Sequence, residues 1–260
     1  MAARNLASYK KQIIAVIIVT VFAASAFIVL GTPTGMEDVR VAIYDGGGIL
    51  PSSKDALATM FAWMRTNVGY VNETSIREGA LADYDILVIP GGGGFEGFLQ
   101  NEGMDAICQF VEDGGSYFGV CGGATFATDV GLRLYNGTYH SCVAGIGQFL
   151  MEMNVNRSST GPDLSGEPES YSIFYWNSGY FSSDSMSGII PIVTYPENDL
   201  PGMIAFKHGA GTVFLSSPHP EYEEGNDRDG VTYFDTLDDP DSEWGLLLKV
   251  CQWLIQESNP

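Results

Sequence analysis

The chain is short of positive charge. Against 32 aspartates and glutamates it carries 12 lysines and arginines, a formal net charge of −20 over 260 residues. Phosphate contacts need lysine and arginine, so no nucleic-acid partner is expected. An acidic, lysine-poor surface stays soluble and repels anionic polymers, and it suits a salty medium. Cysteine is scarce too, at 4 residues, which makes no disulfide scaffold. Histidine numbers 3. Cys121 and His219 lack a convincing third ligand for zinc, so no metal and no cofactor is expected. No G-K-[ST] follows any glycine run, which excludes a Walker loop, and no G-x-G-x-x-G opens a helix, which excludes the dinucleotide fingerprint. "NDRDG" (226–230) lacks the ligand spacing and terminal glutamate of an EF-hand and reads as a solvated acidic loop. Internal repeats and low-complexity segments are absent.

What is present begins at the N-terminus. Arg4, Lys10 and Lys11 precede "IIAVIIVTVFAASAFIVLG", and no charge occurs between Lys11 and Glu37. A run of about 20 apolar residues spans a bilayer as a helix. Basic residues before it and acidic ones after it place the N-terminus in the cytoplasm and the remainder outside. The expected organisation is a basic tail (1–11), a transmembrane helix (12–31), a linker (32–37) and one α/β domain (38–256). A cleaved signal peptide, and so a secreted protein, is the competing reading, because Ala24-Ser25-Ala26 resembles a cleavage site. "FIVL" continues the apolar run past that point and favours the anchor. Sequons at Asn72, Asn136 and Asn156 agree with an external location.

Beyond the linker, strands and helices alternate. "VRVAIYDGGG", "DILVIPGGGG" and "SYFGV" read as buried strands running into glycines or a cysteine. "SSKDALATMFAWMRTNV" and "GMDAICQFVEDGG" have helical spacing, with Ser52 or Ser53 as N-cap of the first. "GGATFATDVG" reads as the start of another helix. Alternation of this kind argues a mostly parallel sheet with helices on both faces. Residues 132–200, rich in Ser, Gly, Tyr and Asn, read as an antiparallel extension. "MIAFKHGAGTVFLSSPHPEYE" returns as two strands around a glycine turn, with His208 at the turn. "EWGLLLKVCQWLIQ" is an amphipathic C-terminal helix. Cys108 and Cys251 fall in apolar helical patterns and are expected in the core, while Cys142 has no assigned place.

Ligands gather at the C-terminal ends of strands in such sheets. Three chemically interesting stretches fall there: "PGGGG" (90–94), "GVCGG" (119–123) and "SPHPE" (217–221). G-x-C-x-G is the thiol form of a nucleophile elbow, and the helix after it is expected to aim its N-terminus at the sulfur. His219 and Glu221, two apart at a strand end, can point to one side, the histidine taking the thiol proton and the carboxylate orienting it. Backbone N–H groups of Gly92, Gly93 and Gly122 are candidate oxyanion donors. "FYWNSGYF" offers Tyr175 and Asn177 as pocket residues.

Gly119-Val120-Cys121-Gly122-Gly123 with His219-Pro220-Glu221 resembles the class I glutamine amidotransferase superfamily. Within it, "YDGGG", "VIPGGGG", "GVCGGATF", "FYWNSGYF" and "SSPHPEYE" are similar to the domain at the N-terminus of some biotin–protein ligases, which also occurs alone. The resemblance runs over residues 38–256. It implies a flavodoxin-like three-layer α/β/α sandwich, a Cys121–His219–Glu221 triad, and an oxyanion role for the glycines of 91–94 and Gly122. Gly122 stands where the intracellular-protease branch has histidine, which argues against that activity. No synthase or ligase domain is read in the sequence, so neither ammonia coupling nor biotin transfer is expected. The expected activity is that of a membrane-anchored, externally facing cysteine hydrolase or amidase, with a small-molecule or peptide-like substrate. The alternative is a binding or thiol-sensing module without turnover.

Overall fold

The computed structural model describes residues 35–222, 228–237, 239 and 241–258. The basic tail, the apolar segment 12–31 and the first half of the linker lie outside the described residues, so the expected anchor and its alternative signal peptide are not part of the fold below. Among the described residues no helix is long and apolar enough to cross a membrane.

A sheet of nine strands forms the centre, in the order β2-β1-β3-β4-β11-β10-β9-β6-β7. The first five in that order, β2 (Asn67–Val71), β1 (Arg40–Tyr44), β3 (Ile86–Ile89), β4 (Ser116–Val120) and β11 (Gly211–Ser216), are parallel. Their order is that of the flavodoxin-like doubly wound sheets. β10 (Pro201–His208) returns antiparallel to β11 through a tight turn with Gly209 at φ +60°. β9 (Ile189–Thr194), β6 (Gln148–Val155) and β7 (Ser170–Trp176) continue antiparallel to the edge. Residues 132–200 thus supply the expected antiparallel extension. β5 (Thr138–His140) and β8 (Tyr180–Ser182) pair separately as a small ribbon.

Helices cover both faces. α1 (Pro51–Trp63) and α5 (Trp244–Glu257) pack on one, through Leu57, Phe61, Leu247 and Leu254 against Val41, Ile43, Val88, Phe118 and Phe214. α2 (Glu73–Arg77), α3 (Phe95–Glu112) and α4 (Gly122–Phe126) pack on the other, through Ile76, Phe95, Leu99, Ile107 and Ala124 against Ala42, Tyr44, Leu87, Tyr117 and Leu215. Successive strand residues point to opposite faces, so the continuous apolar runs of β1, β3 and β4 feed two cores at once.

Three local expectations are revised. α1 ends at Trp63, and "NVGYV", whose first residues the helical pattern takes in, is the edge strand β2. α3 begins at Phe95, well before Gly103, and is two helical pieces joined where Gln100 takes φ +58°. Cys108 is half-buried, its thiol donating to the Leu132 carbonyl, whereas Cys251 is fully buried; all four cysteines are free.

Candidate functional site

Cys121 ends β4 with φ +50° and ψ −110°, a conformation costly for any residue with a side chain. The turn is held by its N–H, which donates to the Ser216 carbonyl of β11 at 2.7 Å, and by its carbonyl, which accepts from Thr125 N–H at 2.9 Å. The glycines after it are required by space. A Cβ on Gly122 would collide with the Gly92 carbonyl, and one on Gly123 with the Ile89 carbonyl. The elbow is therefore formed, but α4 runs only five residues. Its dipole is correspondingly small, so the expected helix contribution to the sulfur is largely lost.

His219 and Glu221 follow β11, the strand beside β4, and both are fully buried. His219 N–H donates to the Phe174 carbonyl, which docks the loop on β7. His219 Nδ1 lies 2.9 Å from Glu221 Oε1. Nε2 has no hydrogen-bond partner among the described residues, and the Cys121 sulfur acts electrostatically on the ring. Burial opposes charge on this imidazole. The Glu221 carboxylate and the Cys121 sulfur outweigh that cost and raise its pKa to about 10. Phe174, Trp176 and Tyr222 surround the ring at 5.4–5.8 Å between centroids, walling it from water.

Ser53 is the residue that sequence reasoning misplaces. Its pattern suggests an N-cap, yet α1 is capped at Leu50 with Pro51 opening the helix. Ser53 lies in the first turn, fully buried, and donates to Glu221 Oε1 at 2.6 Å. Its oxygen accepts the N–H of Gly91 at 2.9 Å. One hydroxyl thus ties the glycine loop after β3 to the acid that holds His219.

The three candidate oxyanion donors differ. Gly93 N–H already donates to the Gly48 carbonyl at 2.9 Å, so in this conformation it is engaged elsewhere. Gly92 and Gly122 line the cavity beside the sulfur, and their N–H groups have no acceptor among the described residues. The cavity measures about 510 Å³ and is bounded by Phe126, Tyr139, Trp176 and Asn177. Asn177 lines it at φ +48°, with its side-chain oxygen taking Gly147 N–H at 2.8 Å. Tyr175 is not in the wall. β7 turns it to the opposite face, where it stacks on Phe149 and its hydroxyl donates to the Gly145 carbonyl. Its neighbour Trp176 takes the position at the cavity. Of metal-like groups among the described residues, Asp239, Asp241 and Glu243 bring carboxylate oxygens within 4.8 Å of one another, and the charges of Asp239 and Glu243 act on Arg228.

Fold and site together resemble those of class I glutamine amidotransferase-like α/β proteins. Within that class, residues 39–145 match the family model for the N-terminal part of biotin-protein ligase. The match takes in Cys121 and stops short of His219 and Glu221. Curated relatives include the phosphoribosylformylglycinamidine synthase subunit PurQ of Methanococcus maripaludis, 26% identical over 103 residues, which are 36% of this chain and 38% of that protein. The PurQ subunit of Staphylococcus saprophyticus is 27% identical over 166 residues, 56% of this chain and 73% of that one. The chain therefore spans little over a third of the first relative's length. Among solved structures, a protein of Thermoplasma acidophilum described as a GMP synthase subunit superposes with a TM-score of 0.55 at 14% identity, over 85% of this chain and 98% of its own. A glutamine amidotransferase of Thermotoga maritima gives 0.50 at 14%, over 85% and 90%. These likenesses concern the fold.

Proposed function

We propose that this chain is a cysteine-nucleophile hydrolase of the amidase type, acting on an amide or ester carbonyl. The observation that carries the reading is a strained elbow cysteine beside a buried His219–Glu221 pair. His219, its pKa raised, already holds the thiol proton, so the sulfur attacks the carbonyl carbon as a thiolate beside the imidazolium. The resulting oxyanion faces the N–H groups of Gly92 and Gly122. Collapse breaks the bond to the leaving amine or alcohol, which receives the proton from Nε2, and leaves a thioester on Cys121. Water, giving its proton to the same nitrogen, attacks the thioester. The acid departs and the sulfur is released as a thiolate, with the proton kept on His219. Glu221 holds the imidazole in the tautomer with its free nitrogen toward the sulfur.

Residues 12–31 serve as the membrane anchor, with the N-terminus cytoplasmic and the domain outside; the uncharged run and its basic flank support this placement. Secretion after cleavage near Ala26 is the alternative. The substrate is a small molecule or a peptide-like chain. A binding or thiol-sensing module is the second reading for the domain, favoured by one observation: the engagement of Gly93 N–H leaves the oxyanion pocket with two donors instead of three.

The test is alkylation of each cysteine by iodoacetamide across pH, followed by mass spectrometry. Cys121 is expected to react faster than Cys142 at pH 6–7, by about tenfold or more, and His219→Gln is expected to remove the difference while circular dichroism shows the variant folded. Equal rates for the two thiols, unchanged by His219→Gln, would sink the catalytic reading. The same labelling on intact cells with a membrane-impermeant reagent tests the external placement: protection of Cys121 until lysis contradicts it.

A further inference from the structure

We propose that the cavity beside Cys121 selects against acyl groups bearing a carboxylate and favours neutral or cationic ones. This rests on the hydrolase reading and names the substrate class it would serve. The cavity wall is apolar on most sides, from Leu50, Phe126, Val130 and Trp176. Its one charged side chain is Glu96, at the start of α3. No lysine or arginine lines it among the described residues; of the cations on flanking segments, exposed Arg133 lies between Val130 and Tyr139 in sequence without lining the cavity, and three others are committed elsewhere. Lys54 is paired with Asp45 at 3.2 Å and Asp55 at 3.3 Å. Arg77 donates to the carbonyls of Phe98 and Leu99. Arg228 lies over the Trp244 ring.

The neutral polar groups do not compensate. Asn177 has its side-chain oxygen tied to Gly147, which leaves its neutral amide N–H groups as the one side-chain donor it can offer an anion, with no counter-charge. The free N–H groups of Gly92 and Gly122 stand at the sulfur, where the oxyanion forms, and a second anion bound there would block the reaction. A carboxylate entering this cavity would lose water and gain no counter-ion, a state that buried charges avoid. Glu96 adds repulsion to an anion and attraction to a cation, in the same sense as the field of a chain at net charge −20. Free glutamine carries such a carboxylate beside an ammonium, so the wall suits only the cationic half of it. At about 510 Å³ the cavity has room for an acyl group with an extended or aromatic flank.

Three p-nitrophenyl esters with five-atom acyl backbones test this on the full chain: pentanoate, hemiglutarate and 4-trimethylammoniobutyrate. Acylation of Cys121 is followed by mass spectrometry, and each rate is divided by that of free cysteine with the same ester. The cationic and neutral esters are expected to exceed the hemiglutarate by about tenfold. Glu96→Gln is expected to shrink the cationic advantage, and Val130→Arg, at an exposed position on the rim, to raise the hemiglutarate rate. Equal or faster acylation by the hemiglutarate in the unaltered chain overturns the selectivity and leaves the hydrolase reading standing. If no ester acylates Cys121 faster than free cysteine, the hydrolase reading falls and the selectivity with it.

Discussion

The Ser53 hydroxyl joins two parts of the site that lie far apart in sequence. It accepts from Gly91 in the glycine loop and donates to Glu221 in the histidine loop. Ser53→Ala leaves a buried N–H without an acceptor and removes one donor from a buried carboxylate. The expected loss is about 1–3 kcal/mol of stability, read from urea denaturation. If Ser53 positions Glu221, the pH profile of Cys121 alkylation shifts as well; a change in stability with no change in that profile would confine Ser53 to structure. His219 makes a second prediction. Its pKa is raised in the folded chain, to about 10, so its contribution to stability is complete below the unfolded value of about 6.5 and disappears as pH rises through the folded value. The urea midpoint of the unaltered chain, relative to His219→Gln, is expected to fall between pH 7 and pH 10. A flat difference over that window would mean that the imidazole is neutral throughout. Neither the role of Ser53 nor the exclusion of Tyr175 is legible in the sequence. A serine near a helix start has a local use as a cap, and only a strand's register decides which of Tyr175 and Trp176 faces the cavity.

At the scale of elements, the glycines divide by what surrounds them. Gly122 sits where a side chain would strike the Gly92 carbonyl, whereas Gly97, within α3, has open space around it. Gly122→Ala is therefore expected to lower the melting temperature and to slow Cys121 alkylation. Gly97→Ala is expected to be neutral or to stabilise by up to about 1 kcal/mol, as alanine does in a helix. Thermal melts of the pair check the contrast, and equal effects would mean that the elbow tolerates movement of the glycine loop. The parallel strands β1, β3 and β4 are readable because burial on both faces leaves unbroken apolar runs bounded by glycine. β2 is not, because an edge strand covered on one side carries a mixed pattern, and "NVGYV" is half exposed. The break in α3 is hidden for a similar reason: Gln100 at positive φ has no sequence signature, unlike a glycine.

On the scale of the whole molecule, the alternation of strands and helices announces the layered α/β class, and the three motif-bearing loops do collect at one end of the sheet. What composition cannot supply is the arrangement of the antiparallel half, whose order β10-β9-β6-β7 depends on long-range pairing. Cys121 stands at the end of β4, and the loop carrying His219 and Glu221 follows β11. These strands lie side by side, joined at their tips by the hydrogen bond from Cys121 N–H to the Ser216 carbonyl. All the chain from α4 to β10 is therefore an excursion that leaves the parallel strands at one reactive group, builds the antiparallel half of the sheet and returns through β11 to the other. It supplies Phe126, Tyr139, Trp176 and Asn177 to the cavity. Chemistry and recognition are accordingly housed in separable pieces of sequence, so rebuilding the excursion is a route to a different ligand with the sulfur and imidazole left in register.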